Sequence, residues 1–275
     1  MTTPSDVQAV QTGATFAALA YKPNNPPPAG WRVYTNPKIN EANASQSGFS
    51  ATVYVNDTTK QVMVAYAGTN DLKDVGSWPT VITGGNSPQF QDMLKVGNAV
   101  KNLLGEPAYA GYTRQATGHS WGEGMAQLDT YVFGGTGTGF DGVGAKTIAN
   151  SAGFQNLMQD AGITAVGGGN FISMNTAGVG MAGGGVVGSI GADIDGTRSG
   201  TMELPNSTLS GWANIAYAAA GGPATLLATA GRFALGKLVS GVSQHSMDGI
   251  DAAVQSGNFK MDQAGQAPAQ GKFDP

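Results

Sequence analysis

The sequence predicts an α/β fold in which a mostly parallel sheet is covered by helices. Three observations carry that expectation. Short β-branched runs alternate with longer stretches of helical periodicity. Glycine is abundant, with 43 in 275 residues, more than twice the usual ~7%. A Gly-x-Ser-x-Gly motif stands where a predicted strand gives way to a predicted helix.

The elements follow in order. Val7, Val10, Ala14, Ala17 and Leu19 to Ala20 form a helical stripe over Val7 to Tyr21, and the proline-rich Pro23 to Pro28 ends it. Phe49 to Val55 and Gln61 to Tyr66 alternate and are joined by Asn56-Asp57-Thr58-Thr59-Lys60, a β-hairpin pattern. Phe90, Met93, Leu94, Val96, Ala99, Val100, Leu103 and Leu104 define a second helix with charged residues opposite. Arg114 to Gly118 is a short strand leading into Ser120, and Met125 to Val132 carries helix formers until Gly134-Gly135 stops them. Ala145 to Ala149 and Asn170 to Asn175 are expected to be further strands, separated by a helix over Phe154 to Ala161. The glycines concentrate between Gly134 and Gly200 without a Gly-X-Y period, which means tight turns rather than collagen. No repeat or linker divides the chain, so one domain is expected over residues 1–275.

Composition excludes several classes. Charged residues are 12% of the chain, about half the usual ~25%, and the net charge is −4 with no Lys/Arg run, so nucleic acid is not an expected partner. The absence of cysteine removes disulfides and thiolate chemistry, and two histidines, His119 and His245, are too few for a multi-histidine metal site. No metal or organic cofactor is expected. Met1 to Tyr21 lacks a basic region followed by a clean apolar core, so no cleavable signal peptide is expected, which leaves a cytoplasmic location or leaderless export.

The chemistry centres on Gly118-His119-Ser120-Trp121-Gly122. In a strand-to-helix elbow the glycines relieve crowding around a strained turn, and the serine hydroxyl is exposed at a helix N-terminus where backbone N–H groups can stabilise an oxyanion. His119 occupies the variable position of the elbow, where a side chain packs beside the turn. His245, in Ser243-Gln244-His245-Ser246, lies where the base falls in the chain order serine, acid, histidine.

The elbow, continued by Glu123-Gly124-Met125-Ala126 and preceded by Val64-Ala65-Tyr66-Ala67-Gly68-Thr69-Asn70, resembles the class 3 (fungal-type) lipase family and its bacterial relatives within the α/β-hydrolase superfamily. The resemblance covers about residues 49 to 150 and implies a serine ester hydrolase acting on lipid or other apolar acyl esters. It further implies that Ser120 is the nucleophile, His245 the base, and Thr69 with the Trp121 N–H the oxyanion hole. Two departures stand out. The family's Phe-Arg before the Gly-Thr pair is Tyr66-Ala67 here, which removes a structural ion pair, and its second elbow glycine is Glu123, a carboxylate in the first turn of a helix. The family's Asp after the strand ending at Asn175 is also missing, since Thr176-Ala177-Gly178-Val179-Gly180 contains no carboxylate. The acid is therefore open: Asp193, 52 residues before His245, Asp195, 50 before it, or Asn175 in place of an acid.

Leu209 to Ser240 is apolar apart from Arg232 and Lys237 and is broken by Gly221-Gly222-Pro223, too short on either side to span a bilayer. It is expected to be a helical hairpin, either ordinary core or a cap over 209–240 that meets a lipid–water interface. The substrate stays open among triglyceride, phospholipid, short-chain ester and polyester. Two rival classes remain: a dinucleotide-binding protein, from Gly178-Val179-Gly180-Met181-Ala182-Gly183, and a non-catalytic glycine-rich surface or assembly protein.

Overall fold

The computed structural model describes residues 3–68, 87–168, 170–176, 192–202 and 247–262. Helix α1, Pro4–Ala20, begins in a capping box: Thr3 Oγ1 accepts from the Asp6 N–H at 3.2 Å and the Asp6 carboxylate accepts from the Thr3 N–H at 3.1 Å. Strand β1, Trp31–Tyr34, and helix α2, Pro37–Asn43, were not foreseen; the expected hairpin forms β2, Ala51–Asn56, and β3, Gln61–Tyr66. Its turn is built by Asn56, whose side-chain oxygen accepts from the N–H groups of Thr58 and Thr59 at 3.0 and 2.9 Å. Helix α3, Pro88–Gly105, is capped by Ser87 and fits its predicted stripe. Strand β4, Thr113–His119, then turns directly into α4, Trp121–Phe133.

The next strand corrects the sequence reading. Strand β5 is Thr136–Phe140, and the expected strand at Ala145 to Ala149 is instead the start of helix α5, Lys146–Asn150. Ala145, Ile148 and Ala149 are all buried, and their i, i+3, i+4 spacing belongs to a helix face. Thr136-Gly137-Thr138-Gly139-Phe140 gives little strand signal because glycine weakens it. Helix α6, Ala152–Asp160, strand β6, Phe171–Thr176, strand β7, Arg198–Met202, helix α7, Met247–Gln255, and strand β8, Phe259–Met261, complete the described elements.

The eight strands lie in sequence order in one sheet. β1, β2 and β3 are antiparallel neighbours, β3 through β7 run parallel, and β8 returns antiparallel to β7. Parallel strands need crossovers that cover the sheet, which is why these strands are buried on both faces. On one face α1 and α7 pack together, with Val10, Ala14 and Ala17 against Ile250, Val254, Met174 and Met202. On the other, α2, α3, α4 and α6 enclose the larger core around Phe90, Val96, Leu128 and Phe154. The mostly parallel sheet covered by helices is the fold expected from the sequence. Among the described residues, no helix is long and apolar enough to cross a membrane.

A buried ion pair ties the β4–α4 unit at its far end. Arg114 at the start of β4 grips Asp129 with two N–H groups, at 3.0 and 2.5 Å, with side chains 4% and 0% exposed. The Tyr66 hydroxyl donates to the same carboxylate at 2.9 Å, and Arg114 also donates to the Gly97 carbonyl at 3.2 Å. Burial, and then the charge of Asp129, push the Tyr66 phenol well above its usual range, so it remains a donor. Thus Tyr66, whose place in the sequence suggested a lost ion pair, belongs to another one. Arg114→Met should cost about 3–5 kcal/mol, because it leaves a buried carboxylate uncompensated. Arg114→Met combined with Asp129→Leu should recover most of that loss in urea denaturation. A double variant no more stable than the single one would refute this account of the pair.

Candidate active site

The end of β4 sets the geometry. Tyr66 pairs with Gly118 across β3–β4, and His119 with Phe140 across β4–β5, so the turn at Ser120 emerges between two parallel strands at their C-terminal edge. Ser120 has φ 58° and ψ −127°, a conformation that costs a non-glycine residue about 1–3 kcal/mol. It is held there by its N–H, which donates to the Phe140 carbonyl at 3.0 Å, and by its carbonyl, which accepts from the Glu123 N–H at 3.1 Å. The two elbow glycines are required by close approach: a Cβ on Gly118 would strike the Gly122 carbonyl, and one on Gly122 would strike the Tyr66 carbonyl. Ser120 therefore stands at the positive end of α4. Trp121 is the first helical residue, so its N–H points out of that end, while its indole N–H donates to Gln89 at 2.6 Å and fixes the ring beside Phe90.

The end of β3 passes against this turn. A Cβ on Gly68 would lie 3.1 Å from the Ser120 Cβ and 2.7 Å from the His119 carbonyl. Gly68, which precedes Thr69 in the sequence, thus lies beside the serine. Its N–H donates to the Tyr21 hydroxyl at 2.9 Å, and that hydroxyl also meets His119 Nδ1 at 2.8 Å and the His119 carbonyl at 3.3 Å. Burial pushes the Tyr21 phenol far up, so it stays protonated and can donate to His119 while accepting from Gly68. His119 is 4% exposed and packs against Tyr21, in keeping with a side chain that lies beside the turn. The sequence reading missed Tyr21, which looked like the last residue of an apolar helix stripe. Nothing local in the sequence marks it.

The carboxylates are distributed as follows. Glu123 is fully buried, and its carboxylate accepts from the Ser173 hydroxyl and the Gly142 N–H, both at 2.6 Å, and from Gln127 at 3.2 Å. It thus links α4 to the turn after β5 and to the middle of β6. Asp193 accepts from Gln127 Nε2 at 2.6 Å, midway along α4. Asp195 is 86% exposed and pairs with Lys146 at 2.9 Å. Asn175 is the penultimate residue of β6, two strands from Ser120. Asp141, which the sequence reading did not weigh, is 2% exposed and directly follows β5. Thr69, His245, Gly178 to Gly183 and the expected cap at 209–240 lie outside the described residues. Among the described residues, no group of His, Cys, Asp and Glu could hold a metal ion.

A mostly parallel sheet whose strand ends in a strained Gly-x-Ser-x-Gly elbow at a helix N-terminus defines an α/β-hydrolase. The Tle-like phospholipase domain, a phospholipase-like family, matches residues 12–212, and the chain belongs to that family. It is a carboxylic ester hydrolase of the lipid-hydrolysing type, as the resemblance to lipases implied, which displaces the dinucleotide-binding and assembly readings. Solved structures similar to it include a triacylglycerol lipase from Penicillium expansum, 12% identical over 72% of this chain and 80% of that one, with a TM-score of 0.43. The Lip2 lipase from Yarrowia lipolytica is 15% identical over 64% of this chain and 74% of that one, at 0.42. The Rhizomucor miehei lipase in its propeptide complex is 13% identical over 74% and 70%, at 0.41. Among curated proteins none matches.

Tyr21→Phe keeps the ring and removes the hydroxyl, leaving the Gly68 N–H and His119 Nδ1 without this partner. Stability should fall by about 1–3 kcal/mol, read from the urea midpoint at constant slope. An unchanged midpoint would show that the hydroxyl is not holding the two strand ends.

Proposed function

We propose that the protein is a serine hydrolase that cleaves the carboxylic ester bonds of phospholipids, with Ser120 as nucleophile and His245 as general base. The observation that carries this reading is the conformation of Ser120: a non-glycine residue at φ 58°, pinned between β4 and α4 with its side chain at the helix N-terminus. Strain of this kind persists only where the surroundings over-determine it, and it aims the hydroxyl away from the sheet edge toward a substrate. The family name supports phospholipid over triglyceride, short-chain ester or polyester.

The chemistry follows from the parts. As Ser120 Oγ attacks the ester carbonyl carbon, its proton passes to the imidazole of His245. The carbonyl π pair moves onto oxygen, and the Thr69 and Trp121 N–H groups hold the resulting oxyanion. Collapse breaks the C–O bond, and the imidazolium returns its proton to the departing alcohol. Water then attacks the acyl-enzyme with the same base, releasing the fatty acid and restoring Ser120. The positive end of α4 favours the oxyanion before it forms, so no reorganisation is needed at that moment.

Ser120→Ala and His245→Ala should each lower kcat on a mixed-micelle phospholipid by roughly 10⁶-fold and abolish labelling by a fluorophosphonate. His119→Ala should do neither beyond the effect of local packing. Retention of more than a few per cent of activity in Ser120→Ala, with contaminating hydrolases excluded, would sink the assignment. Equal turnover of a triglyceride emulsion and of phospholipid by the wild-type protein would remove the substrate preference and leave the nucleophile standing.

A further inference from the structure

We infer that Glu123 is a positioning residue for Ser120: its buried carboxylate completes a ring of hydrogen bonds through the end of β5 that keeps the serine backbone in its strained conformation. This rests on the reading of Ser120 as nucleophile and adds what keeps that nucleophile aimed. Three observations lead to it.

The first is that the ring closes. The Ser120 carbonyl accepts from the Glu123 N–H at 3.1 Å, and the Ser120 N–H donates to the Phe140 carbonyl at 3.0 Å. Two residues after Phe140, the Gly142 N–H donates to the Glu123 carboxylate at 2.6 Å. Glu123 therefore acts on both backbone bonds of the serine. Its N–H makes one directly, and its side chain fixes the turn that delivers the carbonyl for the other. The same turn is held from the next strand, where the Met174 carbonyl on β6 accepts from the Asp141 N–H at 2.8 Å.

The second is that the space is shaped to this one side chain. A Cβ on Gly139 would collide with Glu123 Cγ, and one on Gly142 would collide with Glu123 Cβ. The Gly142 Cβ would also lie 2.6 Å from Glu123 Oε2 and 2.6 Å from the Ser120 carbonyl oxygen, so carboxylate, turn and serine backbone meet at one point. A shorter side chain at position 123 would leave a gap there that neither glycine can fill.

The third is that the carboxylate is itself anchored. The Ser173 hydroxyl, opposite Gly139 in register, donates to Oε1 at 2.6 Å, and Gln127 Nε2, one turn along α4, donates to the same oxygen at 3.2 Å. Glu123, Ser173 and Gln127 are 0%, 0% and 1% exposed, so solvent does little to weaken these bonds. Donors at both oxygens hold the side chain in one geometry. A strained residue persists only while its surroundings over-determine it. Opening one link of the ring frees Ser120 to relax, and a displacement of about 1 Å at a reacting group costs about 10²-fold in rate.

The ring depends on the reach of the side chain rather than on its charge, and two variants that suit the first turn of a helix separate these. Glu123→Asp keeps the charge but withdraws the oxygens by about 1.5 Å, one carbon–carbon bond, which is too far for Gly142 and Ser173. Glu123→Gln keeps the reach. Its amide oxygen can serve the Gly142 N–H while its NH₂ faces the Ser173 hydroxyl, which can turn to accept, and the longer bond to Gln127 is lost. On a soluble p-nitrophenyl ester Glu123→Asp should lower kcat by about 10²-fold with KM within threefold, and should slow fluorophosphonate labelling in proportion. Its crystal structure should show Ser120 displaced from φ 58° or its N–H drawn away from the Phe140 carbonyl. Glu123→Gln should keep kcat within about fivefold of wild type. Leu103→Ala, a truncation in the core of α3, controls for lost stability alone and should lower the melting temperature with kcat within threefold.

A kcat for Glu123→Asp within tenfold of wild type would overturn the inference. So would an equal loss in Glu123→Gln, which marks charge rather than the ring, or an equal loss in Leu103→Ala, which marks stability. An unmoved Ser120 in a slow Glu123→Asp would overturn it as well. In each of these cases fluorophosphonate labelling of wild type, absent in Ser120→Ala, leaves the nucleophile intact. Activity unaffected by Ser120→Ala would instead remove the parent reading.

Discussion

The β4–α4 unit governs the rest of the structure, and it is closed at both ends. At the sheet edge the turn at Ser120 is strained, and it exists because Gly118 and Gly122 let strand and helix approach within backbone contact. At the opposite edge Arg114 and Asp129 clamp the beginning of the strand to the helix interior. Strain at one end needs rigidity at the other, since a helix free to pivot would relax the serine into an ordinary conformation. A bidentate pair shielded from water, with Tyr66 and the Gly97 carbonyl using the remaining hydrogen-bonding capacity, supplies that rigidity without leaving a buried charge unsatisfied.

Glu123 shows how a departure from a family pattern can be absorbed. A carboxylate one turn into a buried helix would be costly alone. Here it meets a hydroxyl from β6, a main-chain N–H from the end of β5 and an amide from its own helix. The space it needs is found at Gly139 and Gly142, where any side chain would collide with it. The residue that read as a carboxylate in the first turn of a helix is a tie between α4, β6 and the turn after β5.

How far the molecule could be read from its sequence follows from the range of the interactions involved. The hairpin was legible because alternation and an Asn-initiated turn are local signals, and α3 because its stripe runs through most of an eighteen-residue helix. The elbow was legible as a motif. Strand β5 was not: its Thr-Gly alternation is dictated by the helix and the Glu123 side chain lying over it, and propensity cannot register such neighbours. Asp141-Gly142 reads in sequence as a turn dipeptide, and only the parallel register with β4 puts it beside Ser120. Tyr21 lies 98 residues from His119 in the chain, so no window of sequence relates them.

The packing of α1 against α7 has a consequence for the order in which the molecule matures. The apolar stripe of α1 is shared between the sheet and Ile250 and Val254, and its flank is bonded by Gln255 at 3.0 Å to the Gln11 carbonyl. During synthesis α1 must therefore wait for residues 247–255, some 230 positions later, which is roughly 12–45 s at ~5–20 residues per second. Until then α1 is seated against the sheet alone, and Tyr21 at its end bonds Gly68 and His119 from a helix that lacks its partner. A nascent chain with every residue of the elbow already in place would still be an unfinished hydrolase, its esterase chemistry postponed until residues 247–255 have followed.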